Sequence, residues 1–250
     1  MTVETGQRGR PLFATVRKRS TGLLRSETRL IVLLALVAVG LFAFLQIATE
    51  MREGETLTMD RAILLWLRVP GQPGTPIGPQ WLLKAMTEIT ALGGGTVLTL
   101  LTVLVGAYLL AARRPATAAF VVGAVAGGAI LSTLLKHTFE RPRPELVAHL
   151  VSVNSASFPS GHAMNSAVTY LTLGTLLAEA EDSERVRYYL IGAAILLSIL
   201  VGLSRIYLGV HWPTDVAAGW CIGSVWALAC SILAHFLSRR RTLEMARSGD

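Results

Sequence analysis

Long apolar runs alternate with short polar stretches along most of the chain. Six of the runs approach the roughly 20 residues that a helix needs to cross about 30 Å of hydrocarbon. They cover residues 30–49, 92–112, 115–135, 163–178, 188–204 and 216–238. This pattern predicts an all-α polytopic membrane protein, with six transmembrane helices in one bundle over residues 30–238.

The one long stretch without a spanning pattern covers residues 50–88. Four acidic residues come first, followed by an amphipathic run and a turn rich in proline and glycine. Trp66 and Trp81 suit the headgroup level of a bilayer, where tryptophan is enriched. We predict an interfacial segment between the first and second spans. The alternative is an ordinary ordered loop that buries both tryptophans.

The composition agrees with a membrane protein, because 52% of the residues are hydrophobic and only 16% are charged. Cytoplasmic loops keep an excess of Lys and Arg. Of the 23 Lys and Arg residues, fifteen lie in residues 1–29, in the turns after the second and fourth spans, or in residues 239–250. We therefore predict a basic cytoplasmic N-terminal segment and a basic cytoplasmic tail. The tail is interpreted as an anchor near anionic lipid, with no role in binding nucleic acid.

Three polar clusters lie at the outer ends of the predicted spans. Residues 136–144 read K-H-T-F-E-R-P-R-P, residues 159–162 read P-S-G-H, and residues 204–215 read S-R-I-Y-L-G-V-H-W-P-T-D. The alternation of spans brings all three to the same face, at the ends of the third to sixth helices. A shared site can form there, whereas an ion or substrate pathway would have its ionisable residues near the midplane.

The first and third clusters supply the charges that bind an anion. Guanidinium groups bind phosphate oxygens two at a time and keep their charge, so Arg143 and Arg205 are candidate phosphate ligands. Lys136 adds a more flexible point charge. Each cation taken alone is better explained as an interfacial side chain that reaches the headgroups, and we interpret Arg141 in that way.

The second cluster stands where a loop turns into a helix. Ser160 suits the N-cap position, Gly161 lets a ligand approach the backbone, and the unpaired amides of a helix start bind anions. His162 in the first turn is positioned to protonate a leaving group as a general acid. Helix capping alone is the alternative explanation of this cluster.

The third cluster pairs a histidine with a carboxylate. His211 and Asp215 are four residues apart around Pro213, so the two side chains can meet at the start of the sixth helix. An aspartate bound to one ring nitrogen fixes the tautomer and leaves the other nitrogen free to attack phosphorus. Alternatively, Asp215 complements the helix dipole and His211 caps a loop. The presence of all three clusters on one face favours catalysis.

The patterns K-x6-R-P, P-S-G-H and S-R-x5-H-x3-D resemble the three-part signature of the phosphatidic acid phosphatase type 2 superfamily, also called the lipid phosphate phosphatases. The resemblance implies that His211 forms a phosphohistidine, that Asp215 orients His211, and that His162 protonates the leaving group. It also implies that phosphate binds without a metal ion or other cofactor. The implied phosphate-binding residues are Lys136, Arg143, Ser160, Gly161 and Arg205.

The same resemblance implies a membrane lipid phosphatase, and the Lys and Arg distribution predicts that its site faces the periplasm or exterior. The outward site and the short loops resemble those of bacterial enzymes, which favours a bacterial inner membrane. Phosphatidate, phosphatidylglycerol phosphate, undecaprenyl pyrophosphate and a lipid A type phosphate remain candidate substrates. Vanadium-dependent haloperoxidases belong to the same superfamily, but they are generally soluble. A non-catalytic phospholipid-binding membrane protein is the other alternative, against which the intact histidines weigh. The sequence leaves the oligomeric state open.

Glycines at four-residue spacing predict close contacts between helices, as packing within lipid requires. The pairs are Gly123 with Gly127 and Gly219 with Gly223. Tight packing inside one chain explains them better than a dimer interface does.

Overall fold

Eight helices and one small hairpin form the regular structure of the described residues in a computed structural model of the chain. The backbone is described over residues 12–248, and side chains at residue 28 and over residues 30–236. The arginines and lysine of the two predicted basic segments lie outside the described side chains. The elements are α1 (Leu12–Glu53), α2 (Leu57–Trp66), β1 (Arg68–Val69), β2 (Gln72–Pro76), α3 (Gln80–Ala91), α4 (Gly95–Ala111), α5 (Pro115–Phe139), α6 (Gly161–Ala180), α7 (Glu184–Tyr207) and α8 (Pro213–Ser248).

Four of the described helices are long and apolar enough to cross a bilayer, and a fifth span results if α3 and α4 form one bent span. The four are Leu30–Glu53 within α1, all of α5, all of α7, and Pro213–Phe236 within α8. By length and composition the chain is therefore a helical membrane protein. The fourth predicted span corresponds to α6, which falls outside this set because its 20 residues include histidine, asparagine, serine and threonine.

The second predicted span begins at a bend in the structure. The axes of α3 and α4 differ by 48° across the break at residues 92–94. At Gly93, an added Cβ would collide with the Val201 side chain and would lie 3.3 Å from the carbonyl oxygen of His162. The absence of a side chain at Gly93 therefore lets the bend approach the beginning of α6 and the end of α7.

The centre of the bundle is α6, which packs against α5, α7 and α8. An added Cβ at Gly219 would lie 2.8 Å from the carbonyl oxygen of Ser160, the N-cap residue of α6, and one at Gly223 would lie 2.6 Å from the carbonyl oxygen of Met164 in α6. At Gly127, an added Cβ would lie 2.6 Å from the ring of Trp226. The predicted close packing is confirmed at these three glycines. It is wrong for Gly123, where an added Cβ would have no neighbour within 4 Å.

The segment between α1 and α4 packs beside the same end of α7 and α8. Helix α2 contacts α8, and α3 contacts α7. The hydroxyl of Tyr207 at the end of α7 donates to the carbonyl oxygen of Ile77 at 2.7 Å. Trp66 and Trp81 both expose their side chains, so the alternative of a loop with buried tryptophans is wrong.

Candidate active site

The three polar clusters of the sequence meet in a cavity of about 280 Å³ at one end of the bundle. Six of the predicted site residues line this cavity together with the loop over residues 151–155. The six are Lys136, Arg143, Gly161, His162, Arg205 and His211. Ser160 and Asp215 do not line the cavity and are fully buried. The structure thus brings the clusters together, while the role of each residue stays a prediction.

The wall of the cavity is basic. Lys136, Arg143 and Arg205 line it, and none of the described lining residues is acidic. Over the part of the chain that the structure describes, none of these three cations forms an ion pair with a carboxylate. Clustered cations that are withdrawn from water and lack counter-charges favour an anion among them. The cavity therefore suits a multiply charged anion such as a phosphate.

Neutral oxygen atoms hold all three cations in place. Arg143 donates to the carbonyl oxygens of Ser155 at 2.8 Å and Val210 at 2.6 Å. The Nζ of Lys136 donates to the carbonyl oxygen of Ala156 at 2.5 Å.

Arg205 is only 3% exposed, and its Nη1 donates to Thr90 Oγ1 at 2.9 Å. The Nε of Arg205 has no hydrogen-bond partner within the described structure. Arg205 thus keeps donor capacity for a ligand in a geometry that its other contacts already fix.

The beginning of α6 forms another side of the cavity. Ser160 occupies the predicted N-cap position but forms no capping hydrogen bond with its side chain. The first backbone bond of the helix runs from Met164 N to Ser160 O at 2.9 Å, so the amides of Gly161 and His162 precede the intrahelical ladder. An added Cβ at Gly161 would lie 3.3 Å from Cε of Lys136. Glycine therefore keeps a cation close to an anion-binding helix start.

His211 presents one ring nitrogen to a cation and the other to a carboxylate. Its Nε2 lies 3.2 Å from Nη1 of Arg143. Its Nδ1 lies 3.4 Å from Asp215 Oδ2 and 3.3 Å from the hydroxyl oxygen of Ser157. Because a guanidinium can only donate, Nε2 carries the lone pair and the ring proton belongs on Nδ1. This tautomer leaves the unprotonated nitrogen, Nε2, on the side of Arg143.

The carboxylate of Asp215 is fixed by hydrogen bonds to both of its oxygens. Oδ2 accepts from the backbone N–H of Trp212 at 2.9 Å and from the hydroxyl of Ser157. Oδ1 accepts from Nη1 of Arg141 at 2.6 Å. A carboxylate held on both oxygens cannot rotate freely, so it also limits the orientation of the His211 ring.

The interpretation of Arg141 as an interfacial cation is wrong. Its side chain is buried, with the residue only 6% exposed, and it forms ion pairs with Asp215 at 2.6 Å and with Asp60 of α2 at 2.8 Å. The guanidinium also lies 5.3 Å from the ring centre of Trp212. Two buried carboxylates require a cation between them, and this requirement outweighs the tendency of arginine to reach water.

A larger groove of about 710 Å³ adjoins the cavity between the beginning of α4, α5 and α6. Lys136, Gly161 and His162 line both spaces. One face of α5 and the residue that follows the helix contribute a large part of the remaining wall, through Ala129, Ser132, Thr133, His137 and Glu140. Thr133, His137 and Glu140 are exposed, so the groove opens on the flank of the bundle.

Comparison with known proteins agrees with the site. A family model described as the PAP2 superfamily matches residues 115–239, which include all three motifs. The chain belongs to the PAP2 superfamily. Phosphatidylglycerophosphatase B of Bacillus subtilis is 36% identical over 147 residues, which cover 57% of this chain and 70% of that protein. An undecaprenyl-diphosphatase of Sulfolobus acidocaldarius is 43% identical over 68 residues, which cover 27% of this chain and 29% of that protein.

A solved PAP2 structure has the same fold over most of the chain. It is the crystal structure of a transmembrane PAP2 type phosphatidylglycerolphosphate phosphatase from Bacillus subtilis, with a TM-score of 0.73 and 30% sequence identity. The alignment covers 80% of this chain and 96% of that one. The resemblance seen in the motifs is thereby confirmed. The chain is an integral membrane phosphatase, a phosphoric ester hydrolase of the PAP2 superfamily.

Sequence reasoning missed four polar residues that support this PAP2 site. They are Asp60, Arg141, Ser157 and Thr214. The last three lie within a motif or within a few residues of one, and that nearness was the available signal. Asp60 has no motif around it. The one feature of the sequence that could have drawn attention to it is its position as an acidic residue in an amphipathic run.

His211 titrates far from the usual range of a histidine. Burial, together with the positive charges of Arg143 and Arg205, lowers the pKa of His211 from 6.5 to about 4, although Asp215 acts in the opposite direction. The ring is therefore neutral above about pH 4, and Nε2 carries no proton at neutral pH. We expect a histidine NMR titration of the protein in detergent to show a midpoint near 4 for the ring of His211.

The His211→Ala variant assigns that signal, because it removes one of the five histidines of the chain. A midpoint near 6.5 for the signal that disappears would contradict the prediction. It would mean that the His211 ring is as well solvated as a free histidine.

Proposed function

We propose that the chain hydrolyses the terminal phosphate of a membrane lipid through a phosphohistidine on His211. The observation that carries the proposal is the cavity itself. It is lined by three cations and by His211, and none of its described lining residues is a carboxylate. Lys136, Arg143 and Arg205 would bind the phosphate oxygens, together with the backbone at Gly161. Ser160 would stabilise the beginning of α6 without contacting the phosphate, since it is buried and does not line the cavity.

The proposed reaction has two steps. Nε2 of His211 attacks phosphorus, and the bond from phosphorus to the leaving oxygen breaks. His162 takes up a proton when the anionic phosphate binds beside it, and it donates that proton to the leaving oxygen. Asp215 binds the Nδ1 proton and stabilises the positive ring. His162, now neutral, then accepts a proton from water, which attacks phosphorus, breaks the N–P bond and releases phosphate. The three cations supply the charge that a metal ion would otherwise supply, so no metal ion takes part.

A lipid phosphate suits the groove that adjoins the cavity. An amphiphile could keep its chains in the bilayer while its headgroup enters from the flank of the bundle between α4, α5 and α6. The relatives named above act, by their names, on phosphatidylglycerol phosphate and on undecaprenyl diphosphate. We propose these two lipids as the first substrates to test, followed by phosphatidate and a lipid A type phosphate.

The deciding experiment measures phosphate release by the purified full-length chain in detergent with excess chelator. The four lipids are offered separately, and His211→Ala is assayed in parallel. We expect release from at least one lipid and none from the variant. Binding of lipid without release by the folded protein would favour the non-catalytic alternative. Release that is lost on chelation and restored by a divalent metal would overturn the metal-free mechanism.

We further propose that six spans cross a bacterial inner membrane, with α3 and α4 forming the second span and α6 the fourth. The predicted interfacial segment of residues 50–88 would be shortened to residues 50–79, because α3 begins at Gln80 and becomes part of the second span. The exposed Trp66, and Trp81 in the first turn of α3, would reach the headgroups of the outer interface. The Lys and Arg distribution supports cytoplasmic termini and a site that faces the periplasm or exterior.

A topology reporter tests this orientation. We expect a reporter fused after Asp250, and one fused after Arg114, to give a cytoplasmic signal, because an even number of spans precedes each position. A fusion after His137 should give an external signal, which makes it the matched control. An external signal from the Asp250 fusion would invert the orientation and bring the site to the cytoplasmic face.

A further inference from the structure

Asp60 is a fully buried acidic residue on α2, outside all three motifs. We propose that Asp60 is a positioning residue for catalysis, which acts through Arg141 and Thr214 on Asp215 and thereby on His211. The inference rests on the proposed role of His211 as the nucleophile. It assigns a catalytic purpose to the segment between α1 and α3, which the motifs leave without one.

Within the described residues, the hydrogen bonds of the Asp60 carboxylate all lead to the beginning of α8 or to Arg141. Oδ1 accepts from the backbone N–H of Thr214 at 3.0 Å. Oδ2 accepts from the hydroxyl of Thr214 at 2.6 Å and from Nη2 of Arg141 at 2.8 Å. Since Thr214 immediately precedes Asp215 in the chain, Asp60 holds the backbone next to the carboxylate that orients His211. It also contributes a negative charge to the beginning of a helix, where such a charge is favourable.

Arg141 transmits the position of Asp60 to Asp215. Its planar guanidinium uses Nη2 for Asp60, while Nη1 donates to Asp215 at 2.6 Å and to the hydroxyl of Thr214 at 2.8 Å. The Thr214 hydroxyl therefore accepts from Arg141 and donates to Asp60, which closes a ring of hydrogen bonds. Because a guanidinium is rigid, a displacement at either carboxylate changes the geometry at the other.

The charges of the array explain why Asp60 affects more than packing. Two carboxylates flank a single guanidinium, so one negative charge remains to balance the positive ring that His211 acquires during the reaction. If Asp60 were neutral, Asp215 would be the one carboxylate left to pair with Arg141, and the positive charge of Arg141 would act on Asp215 alone. Asp215 would then stabilise the positive ring of His211 less, and the chemical step would slow.

The first test is the isosteric variant Asp60→Asn, assayed with the lipid that the wild-type protein hydrolyses. We expect kcat to fall by about tenfold or more, as for other partners of a residue that orients a reacting group, with KM within about twofold. The inhibition constant of orthophosphate should also stay within about twofold, because the cations of the cavity are untouched. Glu55→Gln is the matched control, since Glu55 is an exposed acidic residue just before α2, and its kcat should be unchanged.

A double-mutant cycle separates positioning from a purely structural role. In the Arg141→Met background, Asp60→Asn should change kcat by less than about threefold or raise it, because the path through Arg141 is already cut and only the contacts with Thr214 remain. An equal loss in both backgrounds would overturn the proposal, and so would an unchanged kcat in the single variant. The thermal unfolding midpoint of each variant is measured in detergent, so that kcat values are compared only between folded proteins.

Thr214→Val keeps the proposal testable if Asp60→Asn or Arg141→Met, each of which removes a buried charge, does not fold. It removes the hydroxyl shared by Asp60 and Arg141, and we expect kcat to fall by about threefold or more with KM unchanged. An unchanged kcat would count against the array. His211→Ala in the same assay distinguishes failure of the proposed function from failure of the proposed role of Asp60. An active His211→Ala protein contradicts the proposed function itself. An inactive His211→Ala with a normal Asp60→Asn contradicts only this inference.

Discussion

Replacement of His211 by alanine is expected to lower the turnover of the lipid phosphate by about 10⁴-fold or more, because the reaction loses the atom that forms the covalent intermediate. Phosphate binding should largely survive, since the three cations and the beginning of α6 line the cavity independently of the ring. The measurement is kcat in detergent, together with the inhibition constant of orthophosphate. Brief reaction with radiolabelled substrate and denaturation should give an acid-labile phosphoprotein only with the wild-type chain.

The matched control is His235→Ala. His235 lies on α8 far along the helix from Asp215, and it lines neither the cavity nor the groove. Its kcat should equal that of the wild-type protein. Appreciable turnover by clean His211→Ala protein would remove His211 from the role of nucleophile, and His162 would become the histidine to test next.

The motif residues could be predicted from the sequence because phosphate chemistry restricts the residue types that serve it. Arginine forks, a helix start with glycine, and a histidine four residues from an aspartate are each recognisable, and the alternation of spans predicts that they meet. The cavity contains Arg143, Arg205 and His211 as that reasoning requires. Helix positions along the chain were also predictable, since hydropathy reports lipid exposure and burial directly.

The bend at Gly93 could not be predicted in the same way. Hydropathy treats residues 92–112 as one apolar run, and the bend depends on how closely α6 and α7 approach that glycine. This close packing depends on residues of other helices, so it leaves no recognisable pattern in the sequence around Gly93. For the same reason, four-residue glycine spacing was correct for Gly127, Gly219 and Gly223 but wrong for Gly123.

Asp60 was hidden by its surroundings in the sequence. It follows three glutamates, so it has the pattern of one more solvated charge at an interface. Its partners Arg141 and Thr214 are 81 and 154 residues away along the chain. Burial of a carboxylate is only tolerable when such partners exist, and a single sequence does not reveal which distant residues meet. Arg141 was misinterpreted for the same reason, since its partner could not be seen.

Asp215→Asn is expected to lower kcat by about 10³-fold or more while the protein stays folded, by analogy with the loss that follows when the orienting carboxylate of a catalytic histidine becomes an amide. The amide keeps the shape of the side chain but has one acceptor oxygen in place of two. Arg141 donates to Oδ1, whereas Ser157 and the N–H of Trp212 both donate to Oδ2. At least one of these donors would therefore face an NH₂ group, whichever way the amide is turned. The measurement is kcat and KM with the preferred lipid, alongside the thermal midpoint.

The loss should arise from the His211 tautomer as well as from charge. An NH₂ group next to Nδ1 favours the proton on Nε2, and a protonated Nε2 cannot attack phosphorus or accept from Arg143. Asp182→Asn is the control, because Asp182 is exposed in the turn between α6 and α7, and its kcat should not change. An Asp215→Asn protein with a normal thermal midpoint and undiminished kcat would show that the 3.4 Å contact between Asp215 and His211 does not orient the nucleophile. In that case the hydroxyl of Ser157, 3.3 Å from the same nitrogen, would be the group that holds the ring.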